Sequence, residues 1–278
     1  MKRKVSICIP AYNNEQHIAD TIESILNQTY TELTLVIVDD CSTDKTVEVI
    51  QSFQDERVEL IRNEKNLGMS GNWNKCVSQC NSEYVKLICA DDILVPTCVE
   101  REIFLMEQDE TIVMTTSDSS LIDDQQIRLG IFPRYYSQGI IEGEKLAKKS
   151  LIGMNHFGMP CAVMFRKRIF DMVGGFDSYF QYILDFDVWT RIACEGNVYV
   201  IKEELNQFRL RRESNTGKVF TTDRKAYYIE HKYLLNKYRE KLSINRMQYG
   251  MSLLSRQIRN HVNSIYLWFV IRGYLGKN

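Results

Sequence analysis

The chain has 278 residues, 44% of them hydrophobic and 26% charged, which suits one large α/β domain with an appendage or two small domains. Its 35 basic and 36 acidic residues give a net charge of −1, which argues against a nucleic-acid-binding protein because such proteins usually carry a basic excess. Eight cysteines without a CxxC motif indicate a reducing cytoplasm. The sequence contains no signal-peptide core and no run near the roughly 18 apolar residues of a membrane span.

The first part of the chain alternates strand-like apolar runs with helical patterns. Strands are predicted at residues 5–9 (closed by Pro10), 35–40, 58–61, 84–91 and 112–116. Helices are predicted between them, with starts marked by Asn13, Ser42, Gly68 and Pro96. Strands separated by single helices form right-handed βαβ units, so a mostly parallel sheet is expected.

Beyond residue 117 the pattern is less regular. Residues 118–160 carry glycines and polar clusters, which predict loops around a short helix near 142–149. A strand at 161–165, a turn at 174–177, a helix at 187–194 and two strands between 197 and 210 are predicted next. From about residue 222 onward the pattern is helical.

Two of the predicted strands end at an Asp-Asp pair, Asp39 with Asp40 and Asp91 with Asp92. In open α/β sheets ligands bind outside the carboxyl ends of the strands, so both pairs are expected in one crevice. Adjacent carboxylates in a confined site repel each other unless a cation joins them. A divalent metal that carries phosphates would do so.

Six short segments, in this order, resemble the family-2 glycosyltransferases of GT-A fold. They are residues 10–13, 38–46, 66–68, 89–92, 174–177 and 185–189. The resemblance covers about residues 5–210 and implies a mostly parallel central sheet flanked by helices, with a helical C-terminal extension. It divides the chain into a nucleotide-sugar-binding half (1–117), an acceptor and catalytic half of the same domain (118–221) and the extension (222–278).

The resemblance implies an inverting enzyme that transfers a sugar from a nucleotide-sugar, often a UDP-sugar, to an acceptor hydroxyl. The implied acceptor is a surface polysaccharide or another glycan, free or lipid-linked, and no nucleic acid is involved. A Mn²⁺ or Mg²⁺ ion would stabilise the departing diphosphate. The implied location is cytoplasmic, with peripheral contact at the inner face of the membrane left open.

The resemblance also assigns residues that bind the donor. Asp39 matches the position that reads the uracil edge, and Asn66 and Gly68 match the loop that faces the pyrophosphate. Pro10, Ala11 and Tyr12 match the wall beside the base, Glu15 lies near that wall, and Asn13 belongs to the same donor-binding motif.

The family's metal-binding Asp-x-Asp motif aligns with Cys89-Ala90-Asp91, so Asp91 matches the metal-bridging position and Asp92 lies beside it. Cys89 replaces the first Asp, which bears on nucleotide preference more than on metal binding. Trp73 stands where relatives often carry an arginine, and it is either a core or a site residue.

Asp185 aligns with the family's catalytic base, which takes the acceptor proton. Asp187 is the alternative base, and Leu184 replaces the acidic residue that usually precedes the base. Arg209 or Arg211 is expected to contact the diphosphate, Arg211 standing in place of a family histidine.

The last predicted helix contains an apolar run at residues 265–271 flanked by basic residues. It would lie on an anionic membrane, on a second subunit in a homodimer, or on its own domain.

The sequence departs from the commonest family residue at four motif positions, namely Trp73, Cys89, Leu184 and Arg211. A catalytically inactive sugar-nucleotide-binding or scaffold protein therefore stays open as an alternative. A sugar nucleotidyltransferase is less well supported because the segment after the first strand is not a glycine-rich basic loop, and neither a Rossmann nor a P-loop motif occurs.

Overall fold

The computed structural model describes residues 3–132, 137–211 and 223–258. Its strands are β1 (Val5–Ala11), β2 (Leu33–Asp39), β3 (Val58–Arg62), β4 (Tyr84–Leu87), β5 (Ile93–Leu94), β6 (Ile112–Ile122), β7 (Arg128–Ile131), β8 (Gly139–Glu142), β9 (Val163–Arg166) and β10 (Asn197–Arg209). Its α-helices are α1 (Ile18–Leu26), α2 (Thr46–Gln51), α3 (Gly68–Gln79), α4 (Cys98–Gln108), α5 (Gly143–Ile152), α6 (Lys167–Met172), α7 (Leu184–Ala193), α8 (Arg224–Tyr238) and α9 (246–258). A short 3₁₀ helix, Pro160–Ala162, precedes β9.

The strands form one mixed sheet in the order β3-β2-β1-β4-β9-β6-β10-β5, with β7 on β6 and β8 on β10. β1 to β4 are parallel to one another, β9 runs antiparallel between β4 and β6, and β10 is parallel to β6. The chain moves outward from β1 to β3 and then crosses to the other side of β1 to form β4. The carboxyl ends of β1 and β4 therefore flank the switch point where such sheets bind ligands.

The predicted fold class is confirmed by this arrangement. Several element boundaries are different: β1 runs through Pro10 to Ala11, and β4 ends at Leu87 rather than at Asp91. The predicted loops at 118–160 contain β7 and β8, and the predicted boundary at 117/118 falls inside β6. The two strands expected between 197 and 210 are the single strand β10, which has register shifts near Glu204.

The polar composition of β6 explains why its second half is read as a loop from sequence. Every residue of β6 is buried, including the run of hydroxyl and carboxyl side chains from Thr115 to Ser120. Neighbouring strands satisfy several of them, since Asn206 of β10 donates to the Ser117 hydroxyl at 2.9 Å and Ser120 donates to Glu204 at 2.6 Å. Buried polar groups are tolerated in a sheet when they are hydrogen-bonded in this way.

Apolar clusters cover both faces of the sheet. One cluster contains residues of α1, α2 and α4, and the other contains residues of α3, α5, α6 and α7. Leu234 and Leu235 of α8 are fully buried in the second cluster, so the C-terminal extension packs against the main domain as far as the structure describes it. The apolar run at 265–271 lies outside the described residues.

Candidate active site

The carboxyl ends of four strands meet at one edge of the sheet. Ala11 at the end of β1 pairs with Asp39 at the end of β2. On the other side of β1, the backbone N–H of Ile88 donates to the Cys8 carbonyl, and the backbone N–H of Arg209 at the end of β10 donates to the Asp92 carboxylate at 3.0 Å. Both Asp-Asp pairs therefore lie along the same edge, as the sequence predicts.

Hydrogen bonds join the loop after β1 to the loop after β2. The Asn13 side chain accepts from the Thr43 N–H at 2.9 Å, and Glu15 accepts from the Lys45 N–H at 2.8 Å. Asn13 adopts a positive φ of 50°, a conformation that asparagine tolerates better than most residues. These contacts fix a loop whose Tyr12 side chain remains 47% exposed and available for stacking.

The two residues of the first acidic pair have different surroundings. Asp39 is buried at the strand end, accepts the Ser42 N–H at 3.2 Å and lies 3.7 Å from the Arg62 guanidinium. Asp40 accepts the backbone N–H groups of Leu67 at 2.8 Å and Gly68 at 3.1 Å. Asp40 therefore builds the turn that begins α3.

Asn66 and Gly68 belong to that same turn. The Asn66 amide donates to the Asp40 carbonyl at 3.1 Å, and its oxygen accepts the Gly68 N–H at 2.9 Å. Gly68 has a φ of +72°, which favours glycine. The structure thus places both predicted pyrophosphate-loop residues directly beside the first acidic pair.

The second acidic pair forms a compact group with Cys89. Ligand atoms of Cys89, Asp91 and Asp92 all lie within 4.8 Å of one another. Burial raises the pKa of Asp91, and burial together with the neighbouring Asp91 carboxylate raises the pKa of Asp92. One oxygen of Asp92 accepts the Arg209 N–H, and the other is buried without a hydrogen-bond partner among the described residues.

These features fit a hard divalent cation. A cation would relieve the repulsion between the carboxylates and would satisfy the orphaned Asp92 oxygen. Burial raises the pKa of the Cys89 thiol well above its ordinary value, and Mg²⁺ and Mn²⁺ prefer oxygen ligands to sulfur. Asp91 and Asp92 are the residues that could hold the metal.

The two candidate arginines have different environments. Arg209 is 1% exposed, and its guanidinium donates to the backbone carbonyls of Asp91, Asp123 and Asp124 and lies 3.3 Å from the Asp20 carboxylate. Arg211 is more accessible and forms an ion pair with Asp91 at 3.0 Å. Arg209 therefore holds the acidic segment in place, and Arg211 is the better placed of the two to meet a diphosphate.

Asp185 occupies the first turn of α7. Its side chain is half-buried and accepts a hydrogen bond from the Phe186 N–H at 2.8 Å. Burial raises the pKa of Asp185 from 3.8 to about 6. The charges of Asp185, Asp91 and Asp92 all raise the pKa of the Cys89 thiol, so the first turn of α7 lies near the acidic group.

Asp187, the alternative base, is engaged elsewhere. It is fully buried, pairs with Arg191 at 2.6 Å and with Lys237 of α8 at 3.0 Å, and lies 3.4 Å from the Tyr238 hydroxyl. These contacts join α7 to α8. Asp187 is therefore a structural residue, whereas Asp185 forms no ion pair among the described residues.

Trp73 belongs to the core rather than to the site. It packs edge-on against Phe176 with ring centroids 5.2 Å apart, alongside the apolar cluster under α3.

His17 was not predicted as a site residue from the sequence, because it lies in none of the six motif segments. It is 7% exposed at the start of α1, and burial together with the charges of Arg209 and Arg211 lowers its pKa, so it is a neutral neighbour of the acidic site.

Comparison with known proteins decides the family. The model of glycosyl transferase family 2 matches residues 6–174. The chain belongs to this family. It is therefore a glycosyltransferase, and the resemblance drawn from the six segments is confirmed. The match ends before Asp185, Arg209 and Arg211.

Individual relatives agree with this assignment. An uncharacterized glycosyltransferase of Methanocaldococcus jannaschii is 30% identical over 222 residues, which is 77% of this chain and 73% of that protein. The chondroitin synthase of Escherichia coli is 30% identical over 194 residues, which is 69% of this chain but 27% of the synthase. S. aureus TarS 1-349 in complex with UDP-GlcNAc superimposes with a TM-score of 0.69 at 15% identity, covering 85% of this chain and 66% of that chain. At that identity the likeness concerns the fold alone.

Proposed function

We propose that this protein is an inverting glycosyltransferase that moves a sugar from a UDP-sugar to an acceptor hydroxyl of a surface polysaccharide or a similar glycan. The observation that carries the proposal is a half-buried carboxylate, Asp185, that lies near a metal-competent acidic group at the carboxyl edge of the sheet. The chondroitin synthase relative and the UDP-GlcNAc complex of TarS support a glycan acceptor and a uridine donor.

Donor binding is assigned to the loops after β1, β2 and β4. Tyr12 stacks on the base and Asp39 accepts a hydrogen bond from the uracil edge. Asp91 and Asp92 would hold a Mn²⁺ or Mg²⁺ ion, which would supply positive charge to neutralise the departing diphosphate. Arg211 pairs with Asp91 in this structure and can also donate to a diphosphate oxygen.

The chemical step is assigned to Asp185. It takes the proton of the acceptor hydroxyl while the hydroxyl oxygen attacks the anomeric carbon from the face opposite the diphosphate. The bond from that carbon to the diphosphate oxygen breaks, and UDP leaves with both electrons. A pKa of about 6 suits this role because the carboxylate is ionised at neutral pH and remains basic enough to accept the proton.

The test is a comparison of Asp185→Asn with Asp171→Asn, a control that changes an exposed carboxylate on α6. A panel of UDP-sugars is offered, and UDP release is measured with and without Mn²⁺. We expect Asp185→Asn to abolish UDP release. UDP affinity, measured by calorimetry, should stay within about threefold of wild type because the proposed partner of Asp185 is the acceptor. A tenfold loss of affinity would correspond to about 1.4 kcal/mol. Full activity of Asp185→Asn would refute the assignment.

An inactive sugar-nucleotide-binding protein is the competing proposal, and one observation favours it. Arg211 neutralises Asp91, the residue that should hold the metal. This alternative requires UDP binding that Mn²⁺ does not strengthen and no turnover with any donor in the panel. Release of UDP by the wild-type protein would reject it.

We further propose that α9 lies against an anionic membrane at the cytoplasmic face. Four exposed apolar residues form one stripe along this helix, namely Met247, Met251, Leu254 and Ile258. From residue 241 to residue 278 the sequence has six Lys or Arg and no Asp or Glu, which complements an anionic surface. No helix among the described residues is long and apolar enough to cross a membrane, so the proposed contact is peripheral.

This contact is tested with vesicles of phosphatidylcholine, with and without phosphatidylglycerol. Wild type should sediment with the anionic vesicles and be released by salt, and Leu254→Glu should lose binding. Gln257→Glu is the matched control because it adds the same charge beside the stripe. Vesicle binding by Leu254→Glu equal to that of wild type would refute the membrane assignment. If light scattering shows that wild type is a dimer and Leu254→Glu a monomer, the stripe is instead a subunit interface, and the membrane assignment is likewise refuted.

A further inference from the structure

One carboxylate from the C-terminal extension receives three consecutive backbone N–H groups just before Asp185. Glu230 of α8 accepts from Gln181 at 2.8 Å, from Tyr182 at 2.9 Å and from Ile183 at 3.2 Å. Glu230 is 8% exposed, so these bonds are shielded from water. The same loop is tied a second time by the Tyr182 hydroxyl, which donates to Asp223 at 2.5 Å.

α7 begins without a side-chain cap at its N-cap position, and the Glu230 contacts lie in the loop that leads into it. Ile183 occupies the N-cap position, and no side chain of that residue type can accept a hydrogen bond from the first turn. Helix starts leave backbone N–H groups unsatisfied and carry a partial positive charge. The Glu230 carboxylate satisfies the N–H groups of the entering loop and places a negative charge near the positive end of the helix.

The residue after Asp185 is held by the same extension. The Phe186 ring lies parallel to the His231 ring, at 13° and 6.3 Å between centroids, and the Arg256 guanidinium is 5.6 Å from its centroid. His231 is itself fixed by the Ser252 hydroxyl of α9 at 3.0 Å. The backbone on one side of Asp185 and the side chain on its other side are therefore both set by α8 and α9.

We propose that Glu230 is a positioning residue for Asp185, through which the C-terminal extension holds the catalytic base toward the acidic donor site. The inference rests on the proposed function of Asp185. It assigns the extension a part in the reaction, beyond packing against the domain. In this proposal Glu230 acts through the backbone that precedes Asp185 and is not itself a catalytic residue.

The test uses the full-length chain and the variants Glu230→Gln and Glu230→Asp. Glutamine keeps the size of the side chain but turns an amide donor toward three backbone donors, and aspartate keeps the charge on a shorter stem. Glu195→Gln is the matched control, because Glu195 pairs with Lys241 of the extension near the other end of α7, at 3.4 Å. Folded fraction is measured for each variant by UDP-binding stoichiometry.

We expect Glu230→Gln to lower kcat about 100-fold, the loss that a displacement of about 1 Å can cause, with UDP affinity within about twofold of wild type. Glu230→Asp should recover part of kcat, and Glu195→Gln should match wild type. A residue that only stabilises the fold would lower kcat and binding stoichiometry together. Such a parallel loss, or an unchanged kcat, would overturn the proposal.

A second readout does not depend on activity. The carboxyl carbon of Asp185 is titrated by NMR in wild type and in Glu230→Gln. Release of the loop should expose Asp185 and move its pKa from about 6 toward 3.8 in the variant. If wild type transfers no sugar, the proposed function fails while this shift still supports positioning; an identical titration in both proteins would refute positioning whatever the activity.

Discussion

Replacing the proposed base should make the protein more stable as it becomes inactive. Asp185 has a pKa of about 6 in the folded chain against 3.8 ordinarily, so the folded state binds its proton more tightly than the unfolded state does. Stability from this group is therefore highest below about pH 4 and is lost as pH rises through 6. Asp185→Asn removes that loss and keeps an oxygen to accept the Phe186 N–H.

The magnitude follows from the two pKa values. The interval between 3.8 and about 6 corresponds to roughly 3 kcal/mol if Asp185 were fully shielded. Because the side chain is half-buried, we expect about 1 to 2 kcal/mol of stabilisation at pH 8 and less than about 1 kcal/mol at pH 4.

The assay is urea unfolding of Asp185→Asn and wild type at both pH values, with Asp171→Asn as the exposed-carboxylate control. Other titrating groups are common to both proteins and cancel in the difference. A stability difference that does not grow with pH, or a variant less stable than wild type at pH 8, would contradict the burial of this carboxylate. In the active wild type, kcat/KM should rise with pH through an apparent pKa near 6.

Three further outcomes are expected. Asp187→Asn should destabilise the protein by about 3 kcal/mol, measured by urea unfolding, because it leaves Arg191 and Lys237 without their buried partner. Asp91→Asn should remove the effect of Mn²⁺ on UDP affinity in calorimetry, and an undiminished effect would locate the metal elsewhere. Tyr12→Ala should weaken UDP binding by about 1 kcal/mol, since an exposed ring offers only one stacking face, and unaltered affinity would exclude it from the base wall.

The clustering of the two Asp-Asp pairs at one edge of the sheet could be predicted from sequence because both pairs follow strand ends. A buried parallel strand is a local pattern, and the carboxyl ends of such strands meet at one edge whatever the loops do. Asp39 and Asp91 therefore come together without any knowledge of long-range contacts. The second half of β6 could not be predicted as a strand because its run of residues is polar. Its buried hydroxyl groups depend on hydrogen-bond partners such as Glu204, which is distant in sequence.

Contacts of the C-terminal extension could not be predicted in the same way. Glu230 lies 45 positions after Asp185, on a helix whose sequence shows no marked apolar face, and no spacing rule relates the two residues. The choice between Asp185 and Asp187 depends on this contact surface as well. Lys237 of α8 forms an ion pair with Asp187, and this long-range contact is visible only in the packed structure.

In the pair at Asp39 and Asp40 and in the first turn of α7, one carboxylate builds the local structure, and we propose that the other serves the ligand. Asp40 accepts backbone N–H groups of the turn before α3 and Asp187 forms ion pairs at the junction with α8, whereas Asp185 accepts only local backbone N–H groups among the described residues. An ionised carboxylate that is buried with few hydrogen bonds destabilises the folded state, and the raised pKa of Asp185 reflects this destabilisation. That cost can persist only if neighbouring contacts hold the residue in place, and the satisfied acids, together with Glu230, supply those contacts.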